Sequence, residues 1–346
     1  MEDEFFEKLE KAGSVISPRP DGTLNMFQGL RSIEILNFEM ANGNWLQRPR
    51  SDNTVYHYTN VDGLKGIVQS GDFHLTDFKH FDDESEFKYG LDLVRGVVDD
   101  ALSLPPVRDD LIVLSALEKL RDWFADEDWF DDREIFIGCL SEDADCLDLW
   151  KTDFGDFHRG VAIGIEYDFD GPFVSAGLLP GLYKVIYDPP KQTAIIQDAI
   201  RIFIQNLGLY SQYPERMLAS DHYPSFRNLK SVDDVARWSV DVLATALITR
   251  CIYFKDPRFS SEGEVRFQTQ PNGRAPFKIF EMNGKRKTSI GKVNKARNRI
   301  SELRIPSVTL GRRFPERQVK HLREFLDKNG FADTKLVPSS IPIRRQ

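Results

Sequence analysis

The segment from Val55 to Gly71, VYHYTNVDGLKGIVQSG, constrains the fold most, because a β-rich run passes directly into a short helix. Tyr56 to Thr59 is typical of a strand end, Asn60 of a helix N-cap, and Gly71 of the residue that stops a helix. A histidine at such a junction can be held rigidly while its ring faces a ligand. The segment therefore predicts a strand–helix junction, with His57 as a candidate binding residue.

The composition indicates a globular protein. The 346 residues allow one large domain or two modest ones, and 41% of them are hydrophobic, including 25 Phe. No window reaches the ~18 apolar residues of a membrane span, and the acidic start Met1 to Glu4 is unlike a signal peptide. We therefore expect a cytoplasmic protein with no membrane partner. The 3 Cys lack disulfide or metal-ligand spacing, so we expect no metal site.

Hydrophobic periodicity predicts a helical N-terminal extension over residues 1–50, with helices at 3–12 and 27–41. The rest of the chain carries strand and helix patterns in mixed clusters, not in strict alternation. This predicts an α+β fold with a split, mixed or antiparallel sheet and flanking helices. The predicted strands are 54–59, 73–76, 134–140, 161–167, 183–187, 264–269, 277–281 and 307–310. The predicted helices are 60–70, 84–102, 108–124, a short one near 150, 191–207, 231–250 and 315–328.

The net charge of −8 hides an asymmetry. Residues 271–346 carry 19 Lys and Arg against 6 Asp and Glu, a net charge of +13. The basic run is densest from Lys285 to Arg304, and the residues selected from it are Lys285, Arg286, Lys287, Arg297 and Arg299. Two interpretations stay open: contact with the phosphates of a dinucleotide or nucleic acid, or docking on the acidic part of the chain or on a partner.

Glu262-Gly263-Glu264 precedes the β-like Val265-Arg266-Phe267. On a strand, residues i and i+2 point to the same face, so two carboxylates would share one cleft. Like charges so close raise one pKa toward the range that suits a general base. The alternative is that Glu262 is a surface acid paired with Arg258 or Arg266.

Several common catalytic and nucleotide-binding patterns are absent. The sequence contains no G-x-G-x-x-G, no Walker motif, no His-Glu-x-x-His and no nucleophile elbow. Rossmann, P-loop, zinc-protease and Ser-His-Asp interpretations are therefore disfavoured.

The opening segment, with His57 followed two residues later by Thr59 and then by Ile67 and Gly71, resembles the first motif of the ADP-ribosyltransferase superfamily, in particular its diphtheria-toxin-like branch. It also resembles a bacterial family of uncharacterised domains that open with YHYT. Further segments similar to that family cover about residues 54 to 330. They are, in chain order, Phe81–Phe87, Cys139–Ser141 leading to Trp150, Gly160–Gly164, Phe254–Lys255, Glu262–Arg266 and Val308–Gly311.

The resemblance implies an ADP-ribosyltransferase-like domain over residues 51–346, with a helical insertion at about 190–250 and a basic C-terminal part. It implies NAD as the substrate. His57 would bind the adenosine-side ribose, with Thr59 as a supporting hydroxyl. Glu264 would stabilise the positive charge that develops on the nicotinamide ribose, and Glu262 would serve the acceptor. We therefore expect His57 and Glu264 to converge on one cleft.

The resemblance also implies aromatic rings around nicotinamide. Trp150 is the first candidate, followed by Tyr89, Phe154 and Phe157, although each is also typical of a core residue. Tyr58 is either a core residue or a ring that closes on NAD. Glu86, together with Asp83, either orients ribose hydroxyls or stabilises a helix N-terminus through the helix dipole.

The function implied is NAD-dependent ADP-ribosyl transfer by an intracellular toxin or phage-defence effector. The modified acceptor would be a nucleic acid, such as RNA or DNA, or a protein. A neutralising antitoxin-type partner would inhibit the enzyme. Two alternatives stay open. One is a catalytically inert relative that binds a nucleotide or a partner. The other is an enzyme similar to NAD-dependent RNA 2′-phosphotransferases, which would not need Glu264.

Overall fold

The computed structural model describes residues 54–71, 73–81, 84–104, 111–125, 135–166, 182–212, 250–269, 279–282, 284–290 and 304–342, with isolated residues at 47, 49, 240, 243–244 and 247–248. The predicted N-terminal helices at 3–12 and 27–41 lie outside the described residues. Most of the predicted helix at 231–250 also lies outside them.

Within the described part, ten strands form one sheet. They are β1 (Thr54–Thr59), β2 (Phe73–Asp77), β3 (Phe136–Ser141), β4 (Val161–Glu166), β5 (Leu182–Lys184), β6 (Glu264–Thr269), β7 (Phe280–Met282), β8 (Lys285–Ile290), β9 (Ser307–Leu310) and β10 (Lys335–Pro338). The helices are α1 (Val61–Ser70), α2 (Glu84–Leu102), α3 (Leu111–Ala125), α4 (Leu147–Trp150), α5 (Pro189–Gln212) and α6 (Glu316–Lys328). Short 3₁₀ segments lie at Phe78–His80, Asp153–His158 and Pro257–Glu262.

The chain divides into two compact units. The sheet unit comprises residues 47–84, 133–185 and 257–346, and the helical unit comprises residues 1–46, 85–132 and 186–256. The predicted helical insertion at about 190–250 thus falls in a unit that also includes residues 85–132.

The sheet branches at β3. One edge of β3 pairs with β6 over its whole length, and β5 lies beyond β6. The other edge pairs with β1 at Ser141 and with β2 at Phe136 and Ile137. The strand order away from this branch is β10-β9-β4-β1-β3-β2-β8-β7, and all pairs are antiparallel except β9 with β10. The sheet is therefore mixed and split, and the α+β class is confirmed.

The main core of the sheet unit lies on one face of the sheet. Leu64 and Val68 of α1 and Leu322 and Leu326 of α6 pack with buried aliphatic residues of β4 and β9. The same face continues over Val55, Phe73, Leu75, Phe136, Leu140 and Val265. Burying each such side chain contributes about 1.5–3 kcal/mol. A smaller cluster packs on the opposite face, and its buried members are Tyr58, Cys146, Trp150 and Ala162.

The helical unit is held by buried polar contacts as well as apolar packing. The Tyr89 hydroxyl donates to Gln192 Oε1 at 2.8 Å, and Gln192 Nε2 donates to the carbonyl oxygens of Ile186 and Lys255. Gly90 packs so closely that a Cβ there would lie 2.8 Å from Cys251 Cβ. Tyr89 is therefore a packing residue of this unit. Among the described helices we find none with the length and apolar character of a membrane span.

Candidate functional site

The junction between β1 and α1 is capped at both ends, as predicted. Asn60 Oδ1 accepts a hydrogen bond from Gly63 N at 2.8 Å. Gly71 adopts a φ of 69° and its N–H donates to Ile67 O at 2.8 Å. A Cβ on Gly63 would lie 2.2 Å from Thr59 Oγ1, so the Thr59 hydroxyl lies against the first turn of α1. The predictions for Asn60 and Gly71 are confirmed, and Thr59 fixes how β1 meets the helix.

His57 lies where β1 and β2 diverge along the edge of β3. Its Nδ1 is 3.4 Å from Cys139 O, and its ring meets Phe73 edge-on with 4.9 Å between centroids. Burial lowers the pKa of His57 to about 4, the Cys139 backbone raises it, and the nearby Lys287 lowers it further. The imidazole is therefore neutral at pH 7. A hydrogen bond to a carbonyl requires the proton on Nδ1, which leaves Nε2 as an acceptor.

Glu264 opens β6 as a buried carboxylate with a fixed partner. It is 6% exposed, and its two oxygens accept from Arg266 Nε at 2.7 Å and Arg266 Nη2 at 2.9 Å. Arg266 is 3% exposed, and burial lowers its pKa to about 9. The guanidinium still carries its charge at pH 7, and this bidentate pair holds the Glu264 side chain in a defined orientation.

Ser141 of β3 lies between Tyr56 of β1 and Glu264 of β6, at the same level on three neighbouring strands. It pairs with Tyr56 on β1 and with Glu264 on β6, so all three side chains lie on the same face. The buried Ser141 hydroxyl donates to Glu262 O at 2.7 Å and accepts from Asp143 N at 3.1 Å. Sequence reasoning noted the Cys139–Ser141 segment but did not select Ser141, because a strand's partners cannot be read from one sequence.

The exposed Cys139 shows that the Glu264 face of the sheet is accessible at β3. It pairs with Arg266, which is buried, and yet its own side chain is exposed. At this position β6 covers one edge of β3, whereas β1 and β2 diverge along the other edge. The exposed Cys139 is therefore an accessible position on the face that also carries Arg266 and Ser141.

His57 and Glu264 do not share a face. His57 follows Tyr56, and successive strand residues point to opposite sides. Because Tyr56 lies on the Glu264 face through Ser141, His57 lies on the other face, with Phe73. The two side chains therefore leave the sheet on opposite faces, and their convergence on one cleft stays a prediction.

Glu262 and Glu264 are not neighbours on one strand. Glu262 ends the 3₁₀ segment Pro257–Glu262, and β6 begins only at Glu264. Gly263 between them has a φ of 52°, a conformation that favours glycine and turns the chain. Strand alternation therefore does not place the two carboxylates in one cleft, which corrects the reason given for pairing them.

Trp150 and Tyr58 serve the core of the Glu264 face. Trp150 is fully buried, its Nε1–H donates to Asp145 Oδ1 at 2.8 Å, and its ring meets Tyr58 edge-on at 4.8 Å. The Tyr58 hydroxyl donates to Asp143 O and accepts from Cys146 N, and burial raises its pKa. Neither ring is presented to a ligand in this structure, so the nicotinamide-stacking role for Trp150 lacks geometric support.

The 3₁₀ segment Asp153–His158 has an unusual backbone. Asp156, Phe157 and His158 have φ values of 46°, 47° and 71°, and they are the non-glycine residues with positive φ among those described. His158 Nδ1 is buried and has no hydrogen-bond partner, and burial, followed by Arg313 and Lys151, lowers the His158 pKa. Such strain concentrates at functional sites. The sequence carried no signal for it, because no glycine marks the three positions.

The remaining candidates are only partly described. Lys285 and Lys287 lie on β8, which pairs with β2 and β7, and both are half-buried. Arg286 lies between them, and Glu86 lies in the first turn of α2; the side chains of both are outside the described part. Arg297 and Arg299 lie outside it altogether. In the described ranges, no group of three or more His, Cys, Asp or Glu side chains is arranged to hold a metal ion.

Comparison with known proteins gave no match of any kind: no family model, no curated protein and no solved structure is similar to this chain by these searches.

Proposed function

We propose that this chain is an NAD-consuming ADP-ribosyltransferase in which Glu264 is the catalytic carboxylate. The observation that carries the proposal is the buried Glu264, oriented by Arg266 and aligned with Ser141 and Tyr56 on one face of the branched sheet. The split, mixed sheet is the architecture that the resemblance implies, and it supports the same assignment.

The chemistry requires little more than such a carboxylate. As the bond between nicotinamide nitrogen and ribose C1′ breaks, the electron pair leaves with nicotinamide and the ribose becomes an oxocarbenium ion. A fixed negative charge beside that ion lowers the barrier, and a nucleophile of the acceptor, or water, then forms the new bond to C1′. NAD is a substrate in this scheme.

We place the reacting part of NAD at Cys139, because this exposed position lies beside Arg266 and Ser141 on the Glu264 face. His57 lies on the other face, so we assign it to holding the edge of β3 through Cys139 O, not to binding ribose. We propose a nucleic acid or a protein as the acceptor. The biological role proposed is that of a toxin or defence effector, which a neutralising partner inhibits.

The inert-relative alternative is favoured by one specific observation. Both Glu264 oxygens already accept hydrogen bonds from Arg266, and little of the residue is exposed. A purely structural ion pair would have this geometry too. The phosphotransferase-like alternative has no comparable support, since its chemistry makes no use of Glu264.

Nicotinamide release from NAD tests the proposal without knowledge of the acceptor, because water can replace it. We expect slow release by the wild-type chain and loss of release in Glu264→Gln, assayed below the melting temperature of the variant. Glu166→Gln, at an exposed glutamate of β4, is the matched control and should retain activity. No release by the wild-type chain, alone or with a cell lysate that supplies acceptors, would favour the inert relative.

A further inference from the structure

Two phenylalanine rings project from the 3₁₀ segment Asp153–His158 into solvent. Phe154 is 58% exposed and Phe157 is 50% exposed, and neither ring packs on another ring in the described part. Single apolar residues at a surface need no explanation, but two large exposed rings three positions apart on one short segment do.

The backbone holds the segment in place at an energetic cost. The left-handed conformations of Asp156, Phe157 and His158 persist because Arg159 N donates to Asp156 O and Gly160 N donates to Gly155 O. A Cβ on Gly155 would lie 2.5 Å from Leu149 O, and one on Gly160 would lie 2.5 Å from Thr59 O. The segment is therefore packed rigidly, and Phe157 is presented outward by a fixed backbone.

Exposed arginines lie on and beside the same segment. Arg313 N donates to His158 O at 2.8 Å, which brings the loop of Arg312 and Arg313 against the segment. Both arginines are exposed, and neither forms an ion pair with another described residue. Arg159 is exposed as well, with Asp156 at 3.5 Å. The acidic residues of this segment and its surroundings are Asp153, Asp156 and Asp148. Asp148 forms an ion pair with Lys151 and accepts a hydrogen bond from the Ser261 hydroxyl.

We infer that this surface, formed by Phe154, Phe157, Arg159, Arg312 and Arg313, binds single-stranded nucleic acid. Exposed rings stack on unpaired bases, and guanidinium groups neutralise the phosphates between them. A duplex hides the faces of its bases, so it offers these rings nothing to stack on. The inference does not require NAD cleavage, because binding is measured without NAD. If the proposed function also holds, the surface would present a nucleic acid as acceptor.

Fluorescence anisotropy with labelled oligo-U and oligo-dT of about 12 nucleotides tests the inference, since site sizes in this range are usual. We expect salt-dependent binding to one or both strands and weaker binding to a duplex of equal length. Phe154→Ala/Phe157→Ala should weaken binding on the order of tenfold or more. Arg312→Ala/Arg313→Ala should reduce the slope of log affinity against log salt by about 1.4, because two phosphate contacts are lost.

Leu111→Ala, at an exposed apolar position, and Arg121→Ala/Arg201→Ala, at exposed arginines, are the matched controls and should bind as the wild type does. All four variants change exposed side chains, so their melting temperatures should stay close to that of the wild type. The inference is overturned if the wild type does not bind either oligonucleotide, binds the duplex equally well, or binds unchanged after Phe154→Ala/Phe157→Ala. A protein ligand lost in that variant, without oligonucleotide binding by the wild type, would assign the surface to a protein instead.

Discussion

Arg266 donates to both carboxylate oxygens of Glu264, from two residues further along the same strand, and both side chains are buried. A buried ion pair is a weak source of net stability, because desolvating two charges offsets most of their attraction. Its effect here is to hold the Glu264 carboxylate in a fixed orientation beside Ser141 in the branched sheet. That is what stabilising a developing positive charge requires.

A double-mutant cycle separates catalysis from stability at this pair. Glu264→Gln should reduce NAD hydrolysis by about 3–4 kcal/mol of transition-state stabilisation, a hundredfold or more. It should also destabilise the fold by about 3–5 kcal/mol, because it leaves the Arg266 charge buried without its partner. Adding Arg266→Gln should recover part of the stability but none of the activity. Urea unfolding and nicotinamide release measure the two effects, and recovery of activity in the double variant would remove Glu264 as catalyst.

Glu262 should affect transfer more than hydrolysis. Its backbone oxygen, and not its carboxylate, accepts the Ser141 hydrogen bond, so Glu262→Gln leaves that contact intact. If the Glu262 carboxylate orients the acceptor, the variant should lose labelled ADP-ribose transfer to lysate components while nicotinamide release into water persists. Equal loss of both activities would assign Glu262 to NAD binding or to the structure of the 3₁₀ segment.

Trp150→Phe should destabilise the chain without affecting NAD. The change removes the hydrogen bond from Nε1 to Asp145, which also accepts from Ser340 N and Oγ. Losing a hydrogen bond to a charged group costs about 1.5–3 kcal/mol, and the smaller ring adds a packing loss. The melting temperature should fall while the KM for NAD stays the same. A raised KM with an unchanged melting temperature would restore Trp150 as a ligand residue.

Local structure was largely predictable because its causes are local. The bounds of α2, β6 and β9 match the predicted ranges, and Asn60 and Gly71 cap α1 through their own side-chain and backbone chemistry. Strand β8 was missed because the basic sequence KRKTSI indicates a solvated surface, whereas pairing with β2 and β7 makes it a strand. Tertiary pairing overrides propensity in such segments.

Single residues of the candidate site could be predicted from the sequence, but their arrangement across the strands could not. The sequence predicted Glu264 at the start of a strand, and the structure shows it there, buried and paired with Arg266; its catalytic role stays a prediction. The alignment of Glu264 with Ser141 and Tyr56 depends on the register between strands distant in the sequence, which no local pattern encodes. If β1 were displaced by one residue against β3, His57 and not Tyr56 would lie on the face that carries Glu264. The helix-to-strand turn at Gly263 similarly separates Glu262 from β6.

The pH dependence of stability tests the position of His57. Its pKa in the folded chain is about 4, below the ordinary value of 6.5, because burial disfavours the charged form. Between these two values the unfolded chain binds a proton that the folded chain does not, so stability rises with pH through this window and is lost on acidification. At about pH 5 this contribution amounts to a loss of roughly 2 kcal/mol relative to pH 7.

His57→Gln should remove this contribution. Urea unfolding at pH 5 and pH 7 measures the acid loss, which is the fall in unfolding free energy between the two pH values, and it should be smaller in the variant than in the wild type. His321→Gln, at an exposed histidine of α6, is the control and should show a larger acid loss than His57→Gln. An acid loss identical in His57→Gln and wild type would mean that the His57 ring is solvated, and a ligand role for it would again be open.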